Sequence, residues 1–90
     1  MTNAFATSGP VFDYDPMIFD VLDETATRLR GYYMGKWHRS TDPAERAALI
    51  EAQLAVLGEV DNVDIADVRA VQAKTAELSR RLHTFEGLAL

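Results

Sequence analysis

"DPMIFDVLDETATRLRGYYMGKW", residues 15–37, decides the fold class because its apolar residues recur every three or four positions. This spacing keeps one stripe of a helix facing a core. Asp15 suits an N-cap, and Pro16 suits the first helical position, where a missing N–H costs nothing. We therefore predict a helix over about 16–38. Its inward stripe consists of Ile18, Leu22, Ala26, Leu29, Tyr33 and Trp37.

A second helix is predicted to begin at "DPAE", residues 42–45. The Asp, the Pro and the Glu stand in the order of a capping box. We predict that this helix covers 43–57 and that Gly58 closes it as a left-handed C-cap. A flank of Leu49 and Val56 widens the stripe, which indicates contact with two neighbours or with a partner chain. The inward stripe itself is predicted to be Ala47, Ile50, Leu54 and Leu57.

A third helix is predicted over 64–86, with Asp64 as its N-cap and Gly87 as its stop. Its apolar residues alternate in steps of three and four, which is the rhythm of a coiled-coil-like seam. The seam consists of Val68, Val71, Thr75, Leu78, Leu82 and Phe85.

The chain contains no run with two-residue alternation, so no strand is predicted and the fold class is all-α. Short connections at about 39–42 and 58–63 favour antiparallel neighbours, which gives a three-helix up-down-up bundle over 13–90. Residues 1–12 contain Gly9-Pro10 and small polar residues and are predicted to form a flexible arm. Because 90 residues make a small core, we expect a dimer or a swapped dimer.

Composition excludes several classes of function. The absence of cysteine removes disulfides, thiolate catalysis and thiolate metal sites. A net charge of −5 disfavours nucleic acid as the main partner, without excluding it. Because no stretch is long and apolar enough for a signal peptide or a membrane span, we expect a cytoplasmic protein without membrane contact. No metal or other cofactor is predicted.

The predicted bundle collects carboxylates at the pole where the first helix begins and the second ends. Acidic side chains near helix N-termini are stabilising through the helix dipole, which is the simpler interpretation. The alternative is a contact surface for a basic partner. The residues of this acidic pole are Asp20, Asp23, Glu24, Asp61 and Asp64.

The opposite pole gathers basic and aromatic side chains. Tryptophan, tyrosine and arginine dominate many protein interfaces, so these residues are predicted to bind a partner protein. Nucleic-acid binding through this basic pole is the alternative. A second alternative is a small helical enzyme whose anion pocket contains Arg39 and Arg81; no catalytic residue is assigned. The predicted partner-binding residues are Arg30, Tyr32, Trp37, Arg39 and Arg81.

Thr27, Gly31 and Gly35 stand four residues apart and fall on one ridge of the first helix. Each helical glycine costs about 1 kcal/mol relative to alanine, so close packing of another backbone is expected to compensate for the cost. We predict helix packing on this ridge, including packing across a dimer interface.

Taken together, the sequence predicts a small helical protein–protein interaction module that is not a catalyst. A regulator, an inhibitor, an antitoxin-like partner and a phage assembly component all fit this description. The high content of Ala, Asp, Arg and Val is typical of bacterial and phage proteins but indicates no function.

Overall fold

The computed structural model of the chain describes residues 15–89, and the predicted arm at 1–12 lies outside this range. Three helices follow one another: α1 (Met17–Arg39), α2 (Pro43–Asp61) and α3 (Val68–Ala89). No strand occurs within residues 15–89. The all-α prediction and the number of helices are therefore confirmed.

The helix α1 packs against both α2 and α3, whereas the backbones of α2 and α3 hardly approach each other. Near the turn, the Arg46 guanidinium lies 3.7 Å from the centroid of the Trp37 ring. Arg30 lies seven residues before Trp37 in α1, and it donates a hydrogen bond to Gln53, which lies seven residues after Arg46 in α2. Equal steps in opposite directions mean that α1 and α2 are antiparallel.

The last turns of α1 and α3 lie side by side. The ring of Tyr33 meets the ring of Phe85 edge to face, with centroids 5.0 Å apart. Earlier in α3, Lys74 donates to Glu59, which lies near the end of α2 and therefore beside the first half of α1. The helix α3 therefore runs in the same direction as α1, which completes an up-down-up order with α1 in contact with both other helices.

The core is a single seam of aliphatic side chains along α1. Full burial of each Leu or Val contributes roughly 1.5–3 kcal/mol relative to exposure. The predicted stripes of α1 and α3 supply most of these side chains, as expected from their spacing. The buried residues are Leu22, Ala26, Leu29, Leu49, Val56, Val71, Leu78 and Leu82.

The predicted inward stripe of α2 is wrong. Leu54 and Leu57 are 52% and 38% exposed, whereas the predicted flank residues Leu49 and Val56 are buried. Periodicity could not choose between the two faces because α2 is apolar on nearly every side. The orientation of α2 agrees instead with the contacts of its polar residues Gln53 and Glu59.

Two polar residues of α2 explain why the helix is turned this way. Gln53 accepts a hydrogen bond from Arg30 of α1, and Glu59 accepts one from Arg81 of α3. Val56 lies midway between them in sequence and on the helix surface. The two polar contacts therefore turn the face centred on Val56 towards the core.

The end of α2 also differs from the prediction. The helix runs on to Asp61, so Gly58 lies inside it, and no described glycine has a positive φ. At the start, the Asp42 carboxylate accepts a bond from the Ala44 amide, so the predicted N-cap is confirmed. The Asp42 amide donates to the Ser40 hydroxyl, so no Glu45 capping box forms there.

The start of α3 is later than predicted. Asp67, not Asp64, accepts hydrogen bonds from the first amides of the helix. Asp64 instead accepts from the Ala66 amide within the connecting turn. Because Asp64 and Asp67 are three residues apart, either could cap a helix by sequence alone. At the other end, α3 continues through Gly87 to Ala89.

No helix within residues 15–89 has an apolar stretch long enough to cross a lipid bilayer.

The orientation of α2 can be tested with two identical truncations in one helix. We expect Leu49→Ala to lower the free energy of unfolding by about 2–4 kcal/mol, because it leaves a cavity in the core. We expect Leu54→Ala to lower it by less than about 1 kcal/mol, because that side chain is half exposed. Urea denaturation in dilute protein measures both. A larger loss for Leu54→Ala would contradict the orientation.

Candidate interaction surfaces

An open groove of about 810 Å³ lies between α1 and the last turns of α3. Tyr32, one of the predicted partner-binding residues, stacks on Phe85 with ring centroids 5.9 Å apart. The Lys36 ammonium lies 5.9 Å from the centroid of the same Phe85 ring. Arg39, another predicted binding residue, lines the groove close to Gly35. The structure thus brings Tyr32 and Arg39 to one concave surface.

The groove carries an excess of positive charge. One of its cations, Arg28, is bound to the Glu86 carboxylate at 2.7 Å. Among residues 15–89, Lys36 and Arg39 have no carboxylate within ion-pair distance. The groove can therefore accept an anionic group, with aromatic rings beside it.

The other predicted binding residues do not join this groove. The Arg30 side chain turns to α2, where it donates to Gln53 at 3.0 Å. Trp37 is half buried beneath the Arg46 guanidinium, a cation–π contact that pins the α1–α2 turn. Arg30 and Trp37 therefore contribute to internal contacts between α1 and α2.

Arg81 belongs to a polar cluster that ties α2 to α3. Its guanidinium donates to the Glu59 carboxylate at 2.8 Å, and the Lys74 ammonium donates to the same oxygen at 3.3 Å. Lys74 also donates to Glu77 at 2.8 Å. Lys74 was not singled out from the sequence. The spacing of Lys74 and Glu77 on one helix was the available signal.

Hydrogen bonding shifts the ionisation of this cluster. The bond from Lys74 lowers the pKa of Glu77, and the bond to Glu77 raises the pKa of Lys74 despite partial burial. Burial alone would lower the pKa of Arg81, but hydrogen bonds to Tyr33 and Glu59 more than offset it and raise that pKa. All three shifts favour the charged forms at neutral pH.

The position of Arg81 bears on both alternatives to protein binding. Arg81 does not line the groove that contains Arg39, so the anion pocket of Arg39 and Arg81 that the enzyme alternative predicts is not formed by this groove. The basic pole also offers fewer free cations to a nucleic acid, because Arg81 is paired with Glu59 and Arg46 covers Trp37.

The predicted acidic pole consists of exposed carboxylates. Of these, Asp64 accepts a backbone hydrogen bond, and Asp20 lies in the first turn of α1, where the helix dipole favours it. Within the described range, no group of three or more His, Asp or Glu side chains is arranged to hold a metal ion. The exposed members are Asp20, Asp23, Glu24, Asp61 and Asp64.

The ridge of small residues on α1 faces away from the core. A Cβ atom added to Gly31 would meet nothing within 4 Å, and one added to Gly35 would meet only the Arg39 guanidinium, at 3.5 Å. The Thr27 hydroxyl donates to the Asp23 carbonyl of its own helix. No helix of the described chain packs on this ridge, so the predicted close packing is not found within residues 15–89.

The outer face of α2 is an apolar surface that the sequence analysis assigned to the core. Glu51 is the one exposed charged residue of α2 between residues 47 and 58. The signal was present in the sequence, because an apolar stripe widened by Leu49 and Val56 exceeds what one neighbouring helix can cover. The outer face consists of Ala47, Ile50, Leu54, Ala55, Leu57 and Gly58, with Ile50 half buried and the others exposed.

Comparison with known proteins gives no match: no family model, no curated protein and no solved structure is significantly similar to the chain. The assignment of function therefore rests on the surfaces described above.

The polar cluster between α2 and α3 predicts a pH dependence of stability. Because the pKa of Glu77 is lowered from its ordinary value of 4.5, the Glu77 carboxylate stabilises the fold above that pH. This stabilisation is lost as the pH falls through the lowered pKa. Because the pKa of Lys74 is raised from its ordinary value of 10.5, the Lys74 ammonium stabilises the fold below that pH. This stabilisation is lost as the pH rises through the raised pKa.

We expect Lys74→Met to lower the free energy of unfolding by about 1 kcal/mol at neutral pH, because it removes one of the two cations that Glu59 and Glu77 share. The difference from the wild type should shrink at both pH extremes, as measured by urea denaturation at pH 3, 7 and 11. Arg69→Met, which removes an exposed cation of the same helix, serves as the control. An effect of Lys74→Met that is constant with pH would contradict the role of the cluster.

Proposed function

We propose that this protein is a non-catalytic protein-binding module, and that it binds an apolar helix of a partner protein on the outer face of α2. The exposure of Leu54 and Leu57 on a face with a single exposed charge, Glu51, carries this proposal. A contiguous exposed apolar patch on a protein marks an interaction site, whereas single scattered apolar residues on a surface are normal.

The spacing of the outer face favours a helical partner. Ala47, Ile50, Leu54 and Leu57 follow one another at intervals of three, four and three residues. These intervals form a stripe that another helix can pack against over three turns. A helix that is apolar all round is normally covered on all sides, whereas here α1 and α3 cover only the face of Leu49 and Val56.

Burial of this stripe supplies the driving force for binding. Leu54 and Leu57 still expose about half and a third of their surface, so covering them contributes roughly 1 kcal/mol each. The small residues Ala47, Ala55 and Gly58 beside them allow a partner backbone to approach closely. Such a module suits a regulator, an inhibitor, an antitoxin-like partner or a phage assembly component.

The proposal is tested with Leu54→Lys combined with Leu57→Lys, two substitutions that place charge in the apolar stripe. Because both residues face outward, circular dichroism should show an unchanged helix content. Partners captured from a lysate of the native host are identified by mass spectrometry, and the affinity of the purified partner is then measured. We expect the double variant to weaken that affinity by about 100-fold or more, because two desolvated charges oppose burial.

Met17→Lys is the matched control, since Met17 is an exposed apolar residue of α1 outside the stripe. This control should bind like the wild type. We also expect the wild-type affinity to change little between low and high salt, because the contact is apolar. Equal binding by the double variant, or the absence of any specific partner, would reject the proposed function.

A further inference from the structure

The charged residues of α1 are divided by sign along the helix. All its acidic residues lie between positions 20 and 24, and all its basic residues lie between positions 28 and 39. Within the described chain, the carboxylates of Asp20, Asp23 and Glu24 have no ion-pair partner, and neither do the cations of Lys36 and Arg39. The exposed surface of α1 therefore carries an acidic patch and a basic patch, and neither is paired within the described residues.

Internal effects account for only part of this division. The helix dipole favours acids in the first turn and cations in the last turn, and this explains the positions of Asp20, Lys36 and Arg39. Asp23 and Glu24 lie beyond the first turn, where the dipole effect has decayed. Within residues 15–89, neither carboxylate contributes to a cap or an ion pair, so both remain available to another molecule.

The surface between the two patches permits another helix to approach. At 3.6 residues per turn, Gly31 lies on the opposite side of α1 from the buried Leu22. No atom lies within 4 Å of a Cβ added to Gly31, and the hydroxyl of Thr27 is already satisfied by its own helix. A helix placed here meets no side chain at Gly31, meets the Arg39 guanidinium at Gly35, and leaves no hydroxyl unpaired.

We propose that a second copy of this chain docks on this surface, with the two α1 helices antiparallel and crossing near Gly31. In this arrangement, Glu24 of each copy lies beside Arg39 of the other copy, and Asp23 and Lys36 add charge of the same signs at the two ends of the contact. At 3.6 residues per turn, Glu24 and Arg39 lie on the same flank of the face centred on Gly31, seven and eight residues away from it, so a crossing at Gly31 brings Glu24 of one copy level with Arg39 of the other.

Charge complementarity identifies the second copy as the occupant. Antiparallel pairing matches both patches of both copies at once, as an isologous dimer requires. Parallel pairing would place acids against acids and cations against cations. A different acidic partner would neutralise Lys36 and Arg39 but leave Asp23 and Glu24 unpaired. This contact uses α1, so it is separate from the partner surface proposed on α2.

Two charge-reversed variants test the pairing without assuming its exact register. The acid-reversed variant carries Asp23→Lys and Glu24→Lys, and the base-reversed variant carries Lys36→Glu and Arg39→Glu. In an antiparallel dimer, each variant alone brings like charges together at both ends. A mixture of the two restores opposite charges at both ends. Circular dichroism verifies that each variant keeps its helices, and the single substitutions Glu24→Lys and Arg39→Glu replace any pair that unfolds.

Matched controls change the net charge equally at other places. Asp61→Lys with Asp64→Lys matches the acid-reversed variant, and Arg69→Glu with Arg80→Glu matches the base-reversed variant. All four positions are exposed and lie outside α1. Leu54→Lys with Leu57→Lys serves as a third control, because it disrupts the separate surface on α2.

Analytical ultracentrifugation at low and high salt gives the result. We expect a wild-type dimer whose dissociation constant rises with salt. Each reversed variant alone should dissociate about 100-fold more readily, and their equimolar mixture should form a heterodimer. All three controls should remain dimeric. The proposal is overturned if the wild type is monomeric at its solubility limit, if the mixture fails to pair, or if the α2 variant alone abolishes the dimer.

Discussion

The burial of one aliphatic stripe on α1 is the constraint on which the rest of the structure depends. Leu22, Ala26 and Leu29 form the only face that both other helices use, because α2 and α3 scarcely touch each other through their backbones. Hydrophobic burial is the largest favourable contribution to the stability of so small a chain. Because α1 packs its core face against two neighbours, no helix within residues 15–89 covers its opposite face at Gly31.

Polar contacts then determine which way the flanking helices turn. On α2, Gln53 and Glu59 are bound by Arg30 and Arg81, and Val56 between them enters the core. This orientation leaves Leu54 and Leu57 outside. The same two hydrogen bonds that stabilise the fold thus expose the apolar face that we assign to a partner.

Much of the fold could be predicted from periodicity and capping residues. The stripes of α1 and α3 are amphipathic, so their spacing identified the buried residues, and Asp42 marked the start of α2. The inward face of α2 could not be predicted, because that helix is apolar on nearly all sides. Its orientation depends on Gln53 and Glu59, whose partners are distant in sequence.

The candidate surfaces, like the fold, could be predicted only in part from the sequence. Tyr32 and Arg39 were predicted from residue type, and both line the groove. Arg81 was assigned to the same patch, but its guanidinium turns to Glu59, because the pairing of a long side chain depends on neighbouring helices. Residue type therefore identified part of the groove lining, while the packing of the helices decided which side chains lie there.

The account as a whole rests on the orientation of α2, which thiol labelling can measure directly because the chain has no native cysteine. Cysteine is introduced singly at Leu49, Leu54, Val56 and Leu57, and the rate of modification by a thiol reagent is compared with that of the urea-unfolded chain. The account predicts rapid labelling at positions 54 and 57 and strong protection at positions 49 and 56. Protection at 54 and 57 in the isolated monomer, with free labelling at 49 and 56, would contradict it.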